Sequence, residues 1–163
     1  MKKLIFYLLI ALAFSGCKHR VVRIDYDLKK SDYGQCFISI KRDFTPSDSI
    51  AFKVGEILLG ETGFSVACSE KRAIKLLQDE GCALGADLIN ITKEKRPDGW
   101  SSCYRCTAEF YKFKYSSIQI ASDPTYQNNN VDQRVSKDRK RTGGLILGTV
   151  VVAAAIVLLI SIL

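Results

Sequence analysis

The sequence predicts an α+β domain, small and stapled by disulfides, with one helix packed on a β-sheet and a transmembrane helix at the C-terminal end. Three observations carry that prediction. Runs that alternate apolar and polar residues flank a single helical period; five of the six cysteines fall between residues 36 and 106; and residues 143–163 hold no charge.

Residues 1–17, MKKLIFYLLIALAFSGC, place Lys2 and Lys3 before an apolar run from Leu4 to Phe14, followed by small residues. A charged start, a short apolar centre and small residues make an export signal. Its ending, Phe14-Ser15-Gly16-Cys17, resembles a bacterial lipobox with Phe14 in place of the usual leucine. In that pattern Cys17 is acylated and becomes the first residue of the mature chain.

Residues 18–115 hold the predicted domain, with its folded part from about residue 20 and the residues before it as tether. Cys36, Ile38 and Ile40 alternate with Phe37, Ser39 and Lys41 as a strand does, and Pro46 to Ser49 interrupts the pattern before a strand at Ile50 to Leu59. A helix is expected from Ser69 to Leu84, with Ser69 as cap, Glu70 in the first turn and Ala73, Leu76, Leu77, Glu80 and Leu84 near one face. Gly85 ends it. Strands follow at Leu88 to Thr92 and, after Arg96-Pro97-Asp98-Gly99, at Tyr104 to Phe113. Strands, one helix and more strands give a helix laid on a sheet.

Residues 116–142 turn to Ser, Gln, Asn, Asp and Lys and read as a polar stalk. Residues 143–163, GGLILGTVVVAAAIVLLISIL, would rise about 31 Å as a helix, close to a bilayer's hydrocarbon thickness. Gly144 and Gly148 would share one face of that span. Export of the domain leaves Lys137, Arg139, Lys140 and Arg141 on the exported side, against the positive-inside tendency.

The formal charge of +7 lies in the tethers. Residues 31–115 carry 12 basic and 12 acidic residues, whereas residues 1–30 carry 7 against 2 and residues 116–142 carry 5 against 3. This distribution argues for attraction to membrane surfaces and against a groove for nucleic acid.

An exported chain meets oxidising conditions, so disulfides are expected among Cys36, Cys68, Cys82, Cys103 and Cys106, with an odd thiol left over. In a regular strand Cys103 and Cys106 point to opposite faces and do not pair with each other. Cys106 shares the apolar face with Tyr104, Ala108 and Phe110. Cys68 precedes the helix cap, and a bond to Cys103 would tie the helix start to the strand start. For Cys106, both Cys36 and Cys82 are candidate partners, although the helical wheel puts Cys82 away from Ala73 and Leu77.

A redox Cys-x-x-Cys normally opens a helix, whereas this one opens a strand. No second Cys-x-x-Cys is present to complete a metal site, and the sole histidine, His19, lies in the tether. No metal, cofactor or small-molecule substrate is therefore expected. A Ser-His-Asp set lacks a domain histidine, and Glu56, Glu61, Asp79, Glu80 and Asp87 read as solvated surface, so no catalytic residue is assigned.

The stretch from Gly60 to Tyr111 resembles the RcsF family of envelope-stress lipoproteins. The shared pieces are Gly60-Glu61 leading to Cys68, the helix ending at Gly85-Ala86-Asp87, an apolar strand, and Cys103-Tyr104-Arg105. That resemblance implies a Cys68–Cys103 disulfide. It also implies a non-enzymatic sensor in the bacterial envelope, with a periplasmic domain, an outer-membrane lipid anchor and a protein partner. Trp100, Tyr104 and Arg105 are the candidate contact residues, with packing over the Cys68–Cys103 bond the competing and preferred reading of Trp100. The family's second disulfide uses a cysteine in the strand after the helix, and Leu88 to Glu94 has none. A structural envelope spacer or assembly subunit is the alternative, followed by a thiol-disulfide oxidoreductase.

Overall fold

A computed structural model describes residues 19–26, 36–61, 68–98 and 101–140. The lipobox at Cys17, Trp100 and the apolar run 143–163 lie outside the described residues. Among those described, no helix is long and apolar enough to cross a membrane.

Among the described residues the fold is α+β: five strands form one mixed sheet, with two helices. The strands are β1 (Arg20–Ile24), β2 (Ser39–Arg42), β3 (Ala51–Gly60), β4 (Leu88–Lys95) and β5 (Arg105–Phe113), and their order across the sheet is β1-β3-β5-β4-β2. Only the β2–β4 pair is parallel. Helix α1 (Glu70–Leu84) crosses one face. A short 3-10 turn (Pro124–Tyr126) leads into α2, residues 128–140.

Alternation along β3 and β5 builds the core. Ile57, Leu59, Cys106, Ala108 and Phe110 turn towards α1 and are buried with Ala73, Ile74 and Leu77 of the helix. Gly81 lets the helix come close, because a Cβ there would lie 2.8 Å from Ile38 Cδ1 and 3.2 Å from Phe110. Gly85 then stops α1 in the left-handed region at φ 65°, and its N–H donates to the last-turn carbonyls. Ser69 occupies the N-cap position in extended conformation, yet its side chain makes no capping hydrogen bond. The opposite sheet face carries the Lys53, Glu56 and Glu109 ion-pair network and, beside it, a smaller buried cluster of Ala51, Leu88 and Tyr111.

Two sequence expectations are corrected. Residues 20–24, assigned no element, form the edge strand β1, which pairs antiparallel with β3 from Arg20 against Gly60 to Ile24 against Glu56. The polar segment expected to be a stalk packs onto the domain as far as Asp138, which pairs with Arg96: Tyr126 is 6% exposed and Val131 3%. The same segment straps the outer side of β2. Asp123 N–H donates to the Ile40 carbonyl at 2.7 Å, and Ile40 N–H donates to Ser122 Oγ at 3.1 Å.

Candidate functional site

The chemistry-bearing residues gather at one end of the sheet, where β3 and β4 finish and α1 and β5 begin. Cys68, the residue before the N-cap, is bonded to Cys103 with Cα atoms 4.9 Å apart, and both are buried. Tyr104 N–H donates to the Cys68 carbonyl at 2.9 Å, so a backbone bond doubles the covalent one. Closing 35 residues of chain in this way contributes about 3–4 kcal/mol on the chain-entropy account.

The remaining cysteines differ from the expected alternatives. Cys36 pairs with Cys82, Cα to Cα 5.9 Å, and Cys106 is free and buried. Both proposed partners of Cys106 are thus taken by each other. Cys82 is half-buried on α1. That position turns Cys82 to the β2 side of the sheet, where Cys36 stands three residues before the strand. Burial pushes the Cys106 thiol up to about 12, with the negative charges of Glu94 and Glu70 adding to the effect.

Of the three candidate contact residues, Tyr104 is corrected. Its side chain is fully buried, its hydroxyl finds no hydrogen-bond partner among the described residues, and burial raises its pKa. Tyr104 therefore belongs to the core. Arg105 lies on the other face of β5 and reaches Glu61 and Asp98, each at 3.3 Å. Asp98 also accepts from Ser101 N–H at 2.9 Å, and the Ser101 hydroxyl donates to Glu61. Arg105 thus ties the loop before β5 to the end of β3.

Next to this lies a cluster that the sequence reading missed. The Glu70 carboxylate, in the first turn of α1, is wholly buried and meets two guanidinium groups: Arg96 at 3.0 Å, from just beyond β4, and Arg134 of α2. Arg96 continues to Asp138 of α2 at 2.6 Å and to Glu94 at 3.6 Å. Glu94 also accepts from the Tyr126 hydroxyl at 3.0 Å and pairs with Arg42. Arg134 lies over the Tyr126 ring, 5.9 Å from its centre. Glu70 was visible as a favourable first-turn residue, but nothing in its neighbourhood pointed to Arg134, 64 positions away.

Chemically, the cluster is a clasp. Each buried carboxylate meets two guanidinium groups, Glu70 those of Arg96 and Arg134 and Glu94 those of Arg96 and Arg42, an arrangement that suits docking of α2. The other acidic residues flagged from sequence are also engaged: Glu80 with Arg23 and Tyr26, Glu56 with Lys53, and Asp87 with Lys112 at 3.0 Å. Asp79 is exposed. The described residues contain no group of three or more His, Cys, Asp or Glu side chains placed to hold a metal ion.

No family model, curated protein or solved structure matches this chain.

Proposed function

We propose that the chain is a non-enzymatic lipoprotein of the bacterial cell envelope, anchored by lipid at Cys17 and by a helix over residues 143–163, and acting through contacts with an envelope protein partner. The supporting observation is how Cys103 and Cys106 are used. Cys103 is bonded to Cys68 at the start of α1, as the resemblance to RcsF-like stress sensors implies, while Cys106 turns into the core with its thiol raised to about 12. Separation of the two thiols favours a scaffold over a dithiol oxidoreductase, which needs both sulfurs in one reactive pair. A sensor or signal-transduction module is preferred to a spacer, because folding of residues 116–138 onto the domain removes most of the reach that a stalk would have supplied.

The test combines metabolic palmitate labelling with an envelope-stress reporter. Label on the wild-type chain, its loss in Cys17→Ala, and loss of the reporter response on deletion are expected. An unlabelled wild-type chain overturns the anchor, and an unchanged reporter overturns the sensor role.

A further inference from the structure

The two routes out of the folded body lie at the same end of the sheet. Arg20, which opens β1, pairs with Gly60, which closes β3. His19 lies beside the backbone of Gly60 and Ser69, at the start of α1. At the other terminus, Arg134 meets Glu70, the first residue of α1, and Asp138 meets Arg96, just beyond the end of β4. Chain entry and chain exit are therefore neighbours across the first turn of α1. The opposite end of the sheet, at the turn before Ala51, is separated from them by the ten residues of β3, about 33 Å of strand.

Charge distinguishes this end. Glu61, Glu70, Asp98, Asp132 and Asp138 are each engaged by a basic side chain. Arg20, Arg72, Lys137, Arg139 and Lys140 are exposed there and make no ion pair with a described residue. The acidic groups are internally neutralised and the surplus positive charge faces outwards.

We propose that this end of the domain lies on an anionic bilayer surface and that both anchors enter that one bilayer. The inference rests on the two anchors read above. Arg20 follows Cys17 by three residues and Lys140 precedes Gly143 by three, so neither tether spans more than about 11 Å even when fully extended. Two short tethers from one end hold that end against the membrane that receives them. The basic residues beside the apolar run then meet lipid phosphates, which accounts for their position on the exported side.

The full-length acylated protein, reconstituted into phosphatidylcholine vesicles with and without phosphatidylglycerol, provides the test. A fluorophore is placed on Ser136→Cys in α2 or on Ser49→Cys at the far end, both exposed positions, and the vesicles carry a headgroup-linked quencher. Quenching at 136 several-fold stronger than at 49, without vesicle clustering, is expected. Equal quenching, the reverse order, or clustering that joins two bilayers overturns the proposal. Reversing charge with Arg139→Glu and Lys140→Glu should lower quenching at 136 on phosphatidylglycerol vesicles to the level on neutral ones, and an unchanged signal overturns the assignment of an anionic surface. A protein that fails to float with the vesicles refutes the anchors themselves, which separates that failure from a wrong orientation.

Discussion

Helices α1 and α2 are held to the same sheet by different means. Disulfides fix both ends of α1, through Cys68 just before it and Cys82 in its last turn, and Ala73, Ile74 and Leu77 are buried beneath it. The C-terminal segment that contains α2 buries Tyr126 and Val131 and is otherwise held by polar contacts: the hydrogen bonds of residues 120–123 to β2 and of Tyr126 to Glu94, and the ion pairs of Arg134 with Glu70, Asp138 with Arg96, and Asp132 with Lys71. Covalent closure makes α1 a permanent part of the body. Ion pairing leaves the attachment of α2 sensitive to the loss of a single carboxylate.

The largest effect expected from breaking this contrast is on the α1 side. Cys68→Ser with Cys103→Ser should cost about 3–4 kcal/mol in denaturant unfolding, and a loss below about 1 kcal/mol would show that backbone and core suffice to hold the helix start. Glu70→Ala comes next. The carboxylate is wholly buried while its Arg96 and Arg134 partners keep 31% and 24% side-chain exposure, so the cost should be about 2–3 kcal/mol, below that of a fully buried pair. Hydrogen exchange should then lose protection across residues 128–140 and keep it in α1. Equal loss in both helices would erase the distinction between them.

Asp132→Asn sharpens the comparison at lower amplitude. Its partner Lys71 is 61% exposed and Asp132 itself 52%, so stability should change by no more than about 0.5 kcal/mol. A larger loss would make the rim, and not Glu70, the seat of docking. The smallest effect concerns His19, whose pKa is held below its ordinary 6.5 by burial and then by the charge of Arg72. The unfolded chain binds this proton more readily than the folded one, so stability should fall modestly as pH drops below about 6.5 and level off once the folded-state pKa is passed. His19→Gln should flatten that slope.

The elements legible in the sequence are those that bury apolar faces. The helix bounds come within one residue because Ala73, Leu77 and Gly85 mark its face and its stop. The alternation in β5 places Cys106 with Ala108 and Phe110 for the same reason. Strand β1 was missed because Arg20 and Arg23 break its apolar character and the strand is largely exposed at the sheet edge. The docking of α2 was missed because residues 128–140, NNNVDQRVSKDRK, offer only Val131 and Val135 to a hydrophobic period. Ion pairs between distant positions leave no periodic trace. At the candidate site, the Cys68–Cys103 staple was readable from the positions of helix and strand, whereas Cys36 with Cys82 required knowing that β2 lies at the sheet edge.

The strap of residues 120–123 along β2 also has a kinetic consequence. Ser39 and Ile40 precede their partners Ile120 and Ser122 by about eighty positions. A chain emerging from its N-terminus must complete β3, α1, β4 and β5 before that border of the sheet can be sealed. Until Asp123 has emerged, β2 presents open ladder groups to any neighbouring chain, so aggregation risk is concentrated late in biogenesis.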